Sequence, residues 1–143
     1  MSVTPTKFYC FVEDRSEGKH NLGSDTLRIA LTNTLPTVSQ TVFEPVTLHP
    51  PPAAANGYTT GGSALVVTAS SQTAGVYKLV ANDLVFTATA GGIGPFRYAI
   101  LYNDTSATDA LICWWDYGSS ITLADTETLT VDSDQTGGIL TDT

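Results

Sequence analysis

Residues 94–118 read GPFRYAILYNDTSATDALICWWDYG. Two apolar runs, 96–102 and 111–115, flank the polar stretch NDTSATD. Both runs are rich in the aromatic and branched residues that favour strands. In an extended chain successive side chains point to opposite faces. Phe96, Tyr98, Ile100 and Tyr102 therefore share one face, and Arg97, Ala99 and Leu101 the other. Trp114 and Trp115 are sequential, so they too must face opposite ways. If one face is core, one tryptophan lies outside the main core, and a large exposed aromatic suggests an interface. Phe96, Tyr98, Tyr102, Trp114, Trp115 and Tyr117 are the first candidate interface residues.

The same period of two extends outward. Leu27, Ile29 and Leu31 alternate with Thr26, Arg28, Ala30 and Thr32, the pattern of a strand with one face inward. Further strands are expected at 63–69, 75–80, 84–88, 120–123 and 128–131. Thr41–Leu48 reads as a weaker one that Pro45 places at an edge. Gly, Asn, Asp and Ser punctuate these runs every 8–12 residues or so, a spacing that argues for a sandwich or barrel over βαβ units. Residues 80–84, VANDL, look like a hairpin corner. The expected fold is one all-β domain over 1–143, an antiparallel sandwich of jelly-roll or immunoglobulin-like type. One short N-terminal helix is expected at about 6–20, with Thr4 as cap and Pro5 in its first turn. Phe8, Phe11 and Val12 would form its apolar stripe, and Glu13, Asp14, Arg15, Glu17 and Lys19 would face water. Gly18 or Gly23 would end it.

Residues 49–62, HPPPAAANGYTTGG, form a long Pro/Gly-rich connection. It reads either as an arm reaching a neighbour or as an ordinary surface loop. Pro50, Pro51, Pro52 and Tyr58 join the interface candidates on the first reading.

Composition narrows the function. The 143 residues carry a formal net charge of -8. Everything after Arg97 is acidic or neutral, with eight acidic side chains and no basic one. Nucleic acid and anionic membranes call for clustered Lys and Arg, so neither is an expected partner. No run approaches the roughly 18 apolar residues of a membrane span, and the N-terminal residues lack the pattern of a signal peptide. Cys10 and Cys113 are too few for a disulfide framework; buried free thiols are the expected state, with a Cys10–Cys113 bridge as the alternative.

No catalytic, cofactor-binding or metal-ligating set is marked. His20 and His49 have no recognisable partners, and no nucleophile elbow, zinc-binding helix or phosphate loop occurs. Gly91-Gly92-Ile93-Gly94 precedes Pro95 and a strand, so it is a turn. Asp125-x-Glu127 and Asp132-x-Asp134 supply too few oxygens for calcium and read as strand-end residues.

Residues 91–140, with HNLGSDTLRIALTNTLP at 20–36 and KLVANDLVFTATAGG at 78–92, resemble a family of small virion proteins of tailed bacteriophages, sometimes called head decoration or cement proteins. The resemblance implies a virion location, with assembly in the bacterial cytoplasm and the major capsid protein or another virion protein as partner. It implies a homo-trimer that clamps the shell, a helix before His20, and no catalytic residue or cofactor. A tail, neck or fibre-base position is the alternative within the particle. A host-glycan-binding module, with Trp114, Trp115 and Tyr117 as a stacking platform, is the alternative outside that role.

Overall fold

A computed structural model describes residues 4–52 and 56–142. The chain is mostly antiparallel β with one short helix. In order the elements are β1 (Thr6–Lys7), α1 (Tyr9–Ser16), β2 (Leu27–Thr32), β3 (Ser63–Ala64), β4 (Val67–Thr73), β5 (Val76–Ala81), β6 (Leu84–Thr87), β7 (Ile93–Asn103), β8 (Ala110–Leu123), β9 (Thr128–Val131) and β10 (Leu140–Asp142). They form a five-stranded sheet ordered β1-β8-β7-β2-β3, a three-stranded sheet β10-β5-β4 and a pair β6-β9. The VANDL corner at 80–84 therefore joins two sheets; it does not turn β5 back on itself.

The central strands β2, β7 and β8 are buried on both faces. On one face Ile29, Leu101 and Trp115 share a core with Leu79 of β5, Phe86 of β6 and Leu129 of β9. On the other, Ala30, Ile100, Tyr102 and Trp114 pack under Phe8 and Phe43. A β-bulge divides β8 between these cores. Leu101 pairs with Cys113 and Tyr102 with Leu111, leaving Ile112 as the extra residue. Ile112 and Cys113 consequently both serve the first core, whereas Leu111 and Trp114 serve the second. Cys10 packs beside the second core and Cys113 lies in the first, so the sheet separates two free thiols.

The helix is shorter than expected. Phe8, in extended conformation, occupies the cap position in place of Thr4. Its amide donates to the Ile112 carbonyl at 3.0 Å, and the Tyr9 amide to Val38 at 2.9 Å. Sheet pairing of Thr6 and Lys7 with Trp114 and Cys113 thus holds the chain extended until residue 8. Gly18, at φ +79°, ends the helix, and the Lys19 amide closes the turn on Asp14. The apolar stripe does not form: Phe8, before the helix, is buried in the second core and Phe11 in the first, and Val12 is exposed. Asp14, expected to face water, is buried beside Lys19, whose ammonium lies 2.8 Å from its carboxylate.

Thr41–Leu48 is not a strand. It makes one bridge, Val42 to Ala110, and then turns. Glu44 accepts the amides of Val46, Thr47 and Leu48 and the Thr47 hydroxyl. These donors, the Thr47 hydroxyl first, hold its carboxyl down at about 2. The turn carries Phe43 onto Tyr102, their rings stacked 4.2 Å apart.

Candidate assembly surface

Residues singled out as interface candidates lie mostly inside. Phe96 and Tyr58 are buried, and Tyr98 and Tyr102 nearly so. Trp114 and Trp115 do face opposite ways, yet each is only 7 % exposed, because each face has its own cover. Tyr117 is half-buried against the first core. It sits where β8 loops out between the pairs Tyr98–Asp116 and Phe96–Ile121, and burial pushes its hydroxyl up to about 12. These rings therefore offer neither a stacking platform for a sugar nor an aromatic anchor for a partner. Phe96, Tyr58, Trp115 and Tyr117 belong to the first core, and Tyr98, Tyr102 and Trp114 are covered by Phe8, Cys10, Val38 and Phe43, a second layer that a one-sided strand pattern does not announce.

The described residues of the 49–62 connection are anchored on the body and do not form a free arm. His49 is fully buried, its Nδ1 accepting the Glu44 amide at 3.1 Å. Pro52 is buried, and Pro50 and Pro51 are partly so. The Pro50 carbonyl accepts the Thr32 hydroxyl at 2.8 Å. The Leu31 amide donates to the Tyr58 hydroxyl at 2.9 Å, and burial raises that hydroxyl to about 12. Gly62 closes the strap against β2. At φ +78°, a Cβ there would lie 1.9 Å from the Ile29 carbonyl oxygen. Residues 53–55 of this stretch lie outside the described residues.

Charge on the surface is largely organised in pairs. Asp142 holds both Lys7 and Arg15. Arg97 grips Asp116 at two points, 2.8 and 3.1 Å, Arg28 meets Asp104 at 3.1 Å, and Lys78 donates to the Thr136 carbonyl at 2.7 Å. Every Lys and Arg is thus engaged among the described residues. Asp125, Glu127 and Asp134 accept backbone amides of Ala90, Ala124 and Thr136 and act as turn caps.

What remains outside is a different set of side chains. Tyr9 and Val12 on α1, Leu35, Val46, Val66 and Val85 are each more than half exposed. In addition every residue from Thr68 to Val76 is exposed. The sequence signal for the second feature was available: no Asp, Glu, Lys or Arg stands between Glu44 and Lys78.

No family model, curated protein or solved structure matches the chain.

Proposed function

We propose that the chain is a structural protein of a tailed-bacteriophage particle, a head decoration or cement subunit that binds the shell and bridges capsid subunits. The observation that carries this reading is the resemblance over residues 20–36 and 78–140. The architecture supports it. A sheet packed on both faces makes a stiff body, and stiffness is what a clamp needs. The exposed apolar side chains Tyr9, Val12, Val46 and Val66 supply contact area that the two cores do not use. The basic side chains are already engaged, so binding a phosphate would break an ion pair or the Lys78 contact, while the acidic surplus steers the subunit toward a basic or neutral patch. The trimer rests on the resemblance alone, because the aromatic residues of 96–117, which would have offered a contact for it, are packed into the two cores.

Repetition makes such a role workable. A single contact of micromolar strength is worth about 8 kcal/mol. Engaging several shell subunits at once raises the hold by roughly 100- to 10,000-fold. The test compares particles with and without this protein under heat or chelator stress. Greater DNA retention with the protein present is expected. Equal retention, with the protein found only on the tail or neck, would refute the cement reading and leave the alternative position.

A further inference from the structure

β4 is the outer strand of the β10-β5-β4 sheet, and its free edge is unlike the others. β1 and β3 are two residues long, and β6 and β9 four. β10 is three residues and ends on Asp142, held by Lys7 and Arg15. β4 runs for seven residues without a charge or a proline, VTASSQT. Its one bulge lies at the start, between Val67 and Ala69, and Ala69–Thr73 pairs regularly with β5. Long edges without charge, proline or cover are templates for strand pairing.

The hairpin register shows which backbone groups are free. Thr73 pairs with Val76 across Ala74-Gly75, both at positive φ, a two-residue primed turn. Residues flanking such a turn exchange hydrogen bonds, so Thr73, Ser71 and Ala69 direct their amides and carbonyls at β5. Ser70 and Gln72 then point theirs outward. The neighbouring ladder agrees: Leu79, opposite Ser70, gives its carbonyl to the Ile139 amide on the β10 side at 2.7 Å. Among the described residues no backbone group pairs with this outer edge.

We propose that β4 is a self-pairing edge: Ala69–Thr73 pairs antiparallel with the same residues of a second copy about a two-fold axis at Ser71, joining the two three-stranded sheets. Ser70 exchanges backbone hydrogen bonds with Gln72 of the second copy, and Gln72 with its Ser70. The outward pattern is symmetric about Ser71, as an isologous contact requires. Charge favours a second copy here over any other face. Two bodies each at -8 repel, and β4 brings no carboxylate of its own to the contact, while Lys78 stands opposite Ser71 on β5. β4 against β4 also places more residues in register than β4 against any shorter edge. The contact deepens the assembly reading by naming where copies meet, but a dimer stands or falls independently of any particle.

Two variants test it, with sedimentation velocity at tens of micromolar and a mild-oxidant cross-linking assay. S70P removes an outward amide and leaves the β5 ladder whole, the position where an edge strand accepts proline. The wild type is expected at twice 15.1 kDa and S70P at the monomer mass with an unchanged far-UV spectrum. At the axis the two Ser71 residues form a non-hydrogen-bonded pair with Cα atoms about 4.5 Å apart, within the disulfide range. S71C is therefore expected to form a covalent dimer rapidly, whereas S119C, exposed elsewhere on β8, does not. S71C cross-linking no faster than S119C overturns the proposal. So does a wild-type dimer that a folded S70P leaves intact, or a wild type larger than a dimer.

Discussion

Asn103 is buried at the end of β7, and its Oδ1 accepts the amides of Thr105 and Ser106. Its Nδ2 therefore donates, to Asp25 at 2.7 Å and to His20 Nδ1 at 3.1 Å. His20 must carry its proton on Nε2, which is buried without a hydrogen-bond partner, 4.0 Å from Asp14. His49 is fixed the same way, with Nδ1 accepting from Glu44 and Nε2 donating to Gln40 Oε1 at 3.1 Å. A second proton would set donor against donor in both places, and burial pushes both imidazoles below 6.5 despite the attraction of nearby carboxylates. The unfolded chain thus takes up protons first as pH falls. Stability is expected to be flat between about pH 7 and 8 and to drop below pH 6.5, by up to about 1.4 kcal/mol per pH unit for each histidine. Glu44, Asp116 and Asp134 have lowered values and lose their contribution only in stronger acid, so urea midpoints at pH 7.5 and 5.5 isolate the histidines. Equal midpoints would show that neither ring is held neutral. The two tryptophans give a second residue-scale expectation. Trp114→Ala and Trp115→Ala should each cost about 3–5 kcal/mol, read from denaturant midpoints, and neither should act on assembly alone. Tolerance of either change would mean that one face of the sheet lacks a core.

Elements differ in how much of themselves they show in sequence. β2, β6 and β9 were legible, because each alternates or is bounded by turn residues. β1 and β10, of two and three residues, exist only because β8 and β5 lie beside them, and no local pattern announces that. The two-sided burial is written in the chain. Tyr98–Tyr102 and Leu111–Trp115 are unbroken apolar runs, the pattern of strands covered on both faces, not one. What covers the second face could not be inferred from 38–43, since Phe43 arrives by a turn that Glu44 caps. The 49–62 strap was legible as a connection, but its anchoring through His49, Pro52 and Tyr58 was not. Deleting 49–60 should therefore unfold the protein and not merely weaken attachment, which far-UV and near-UV spectra of the deletion would show directly. A folded deletion with native near-UV signal would restore the free-arm reading. Gly62→Ala tests the strap at one atom. Positive φ and the approach to Ile29 together should cost at least about 2 kcal/mol, read as a lowered melting temperature, and an unchanged one would mean the strap can lift off β2.

At the scale of the molecule, the aromatic residues stabilise the body, while the charge-free edge of β4 and scattered apolar side chains stay exposed. Of the candidate residues, sequence placed Trp114 and Trp115 on opposite faces correctly but not their exposure, because exposure is a property of what packs over a strand. Binding to a particle was read from motif resemblance, which carries no geometry, so the particle itself must answer. The direct measurement is cryo-electron microscopy of purified particles that contain this protein, compared with particles lacking it. Added density of this chain's size is expected, repeated over the head shell and lying across boundaries between capsid subunits. A shell identical in the two samples, with the density absent or confined to the tail, would contradict that expectation.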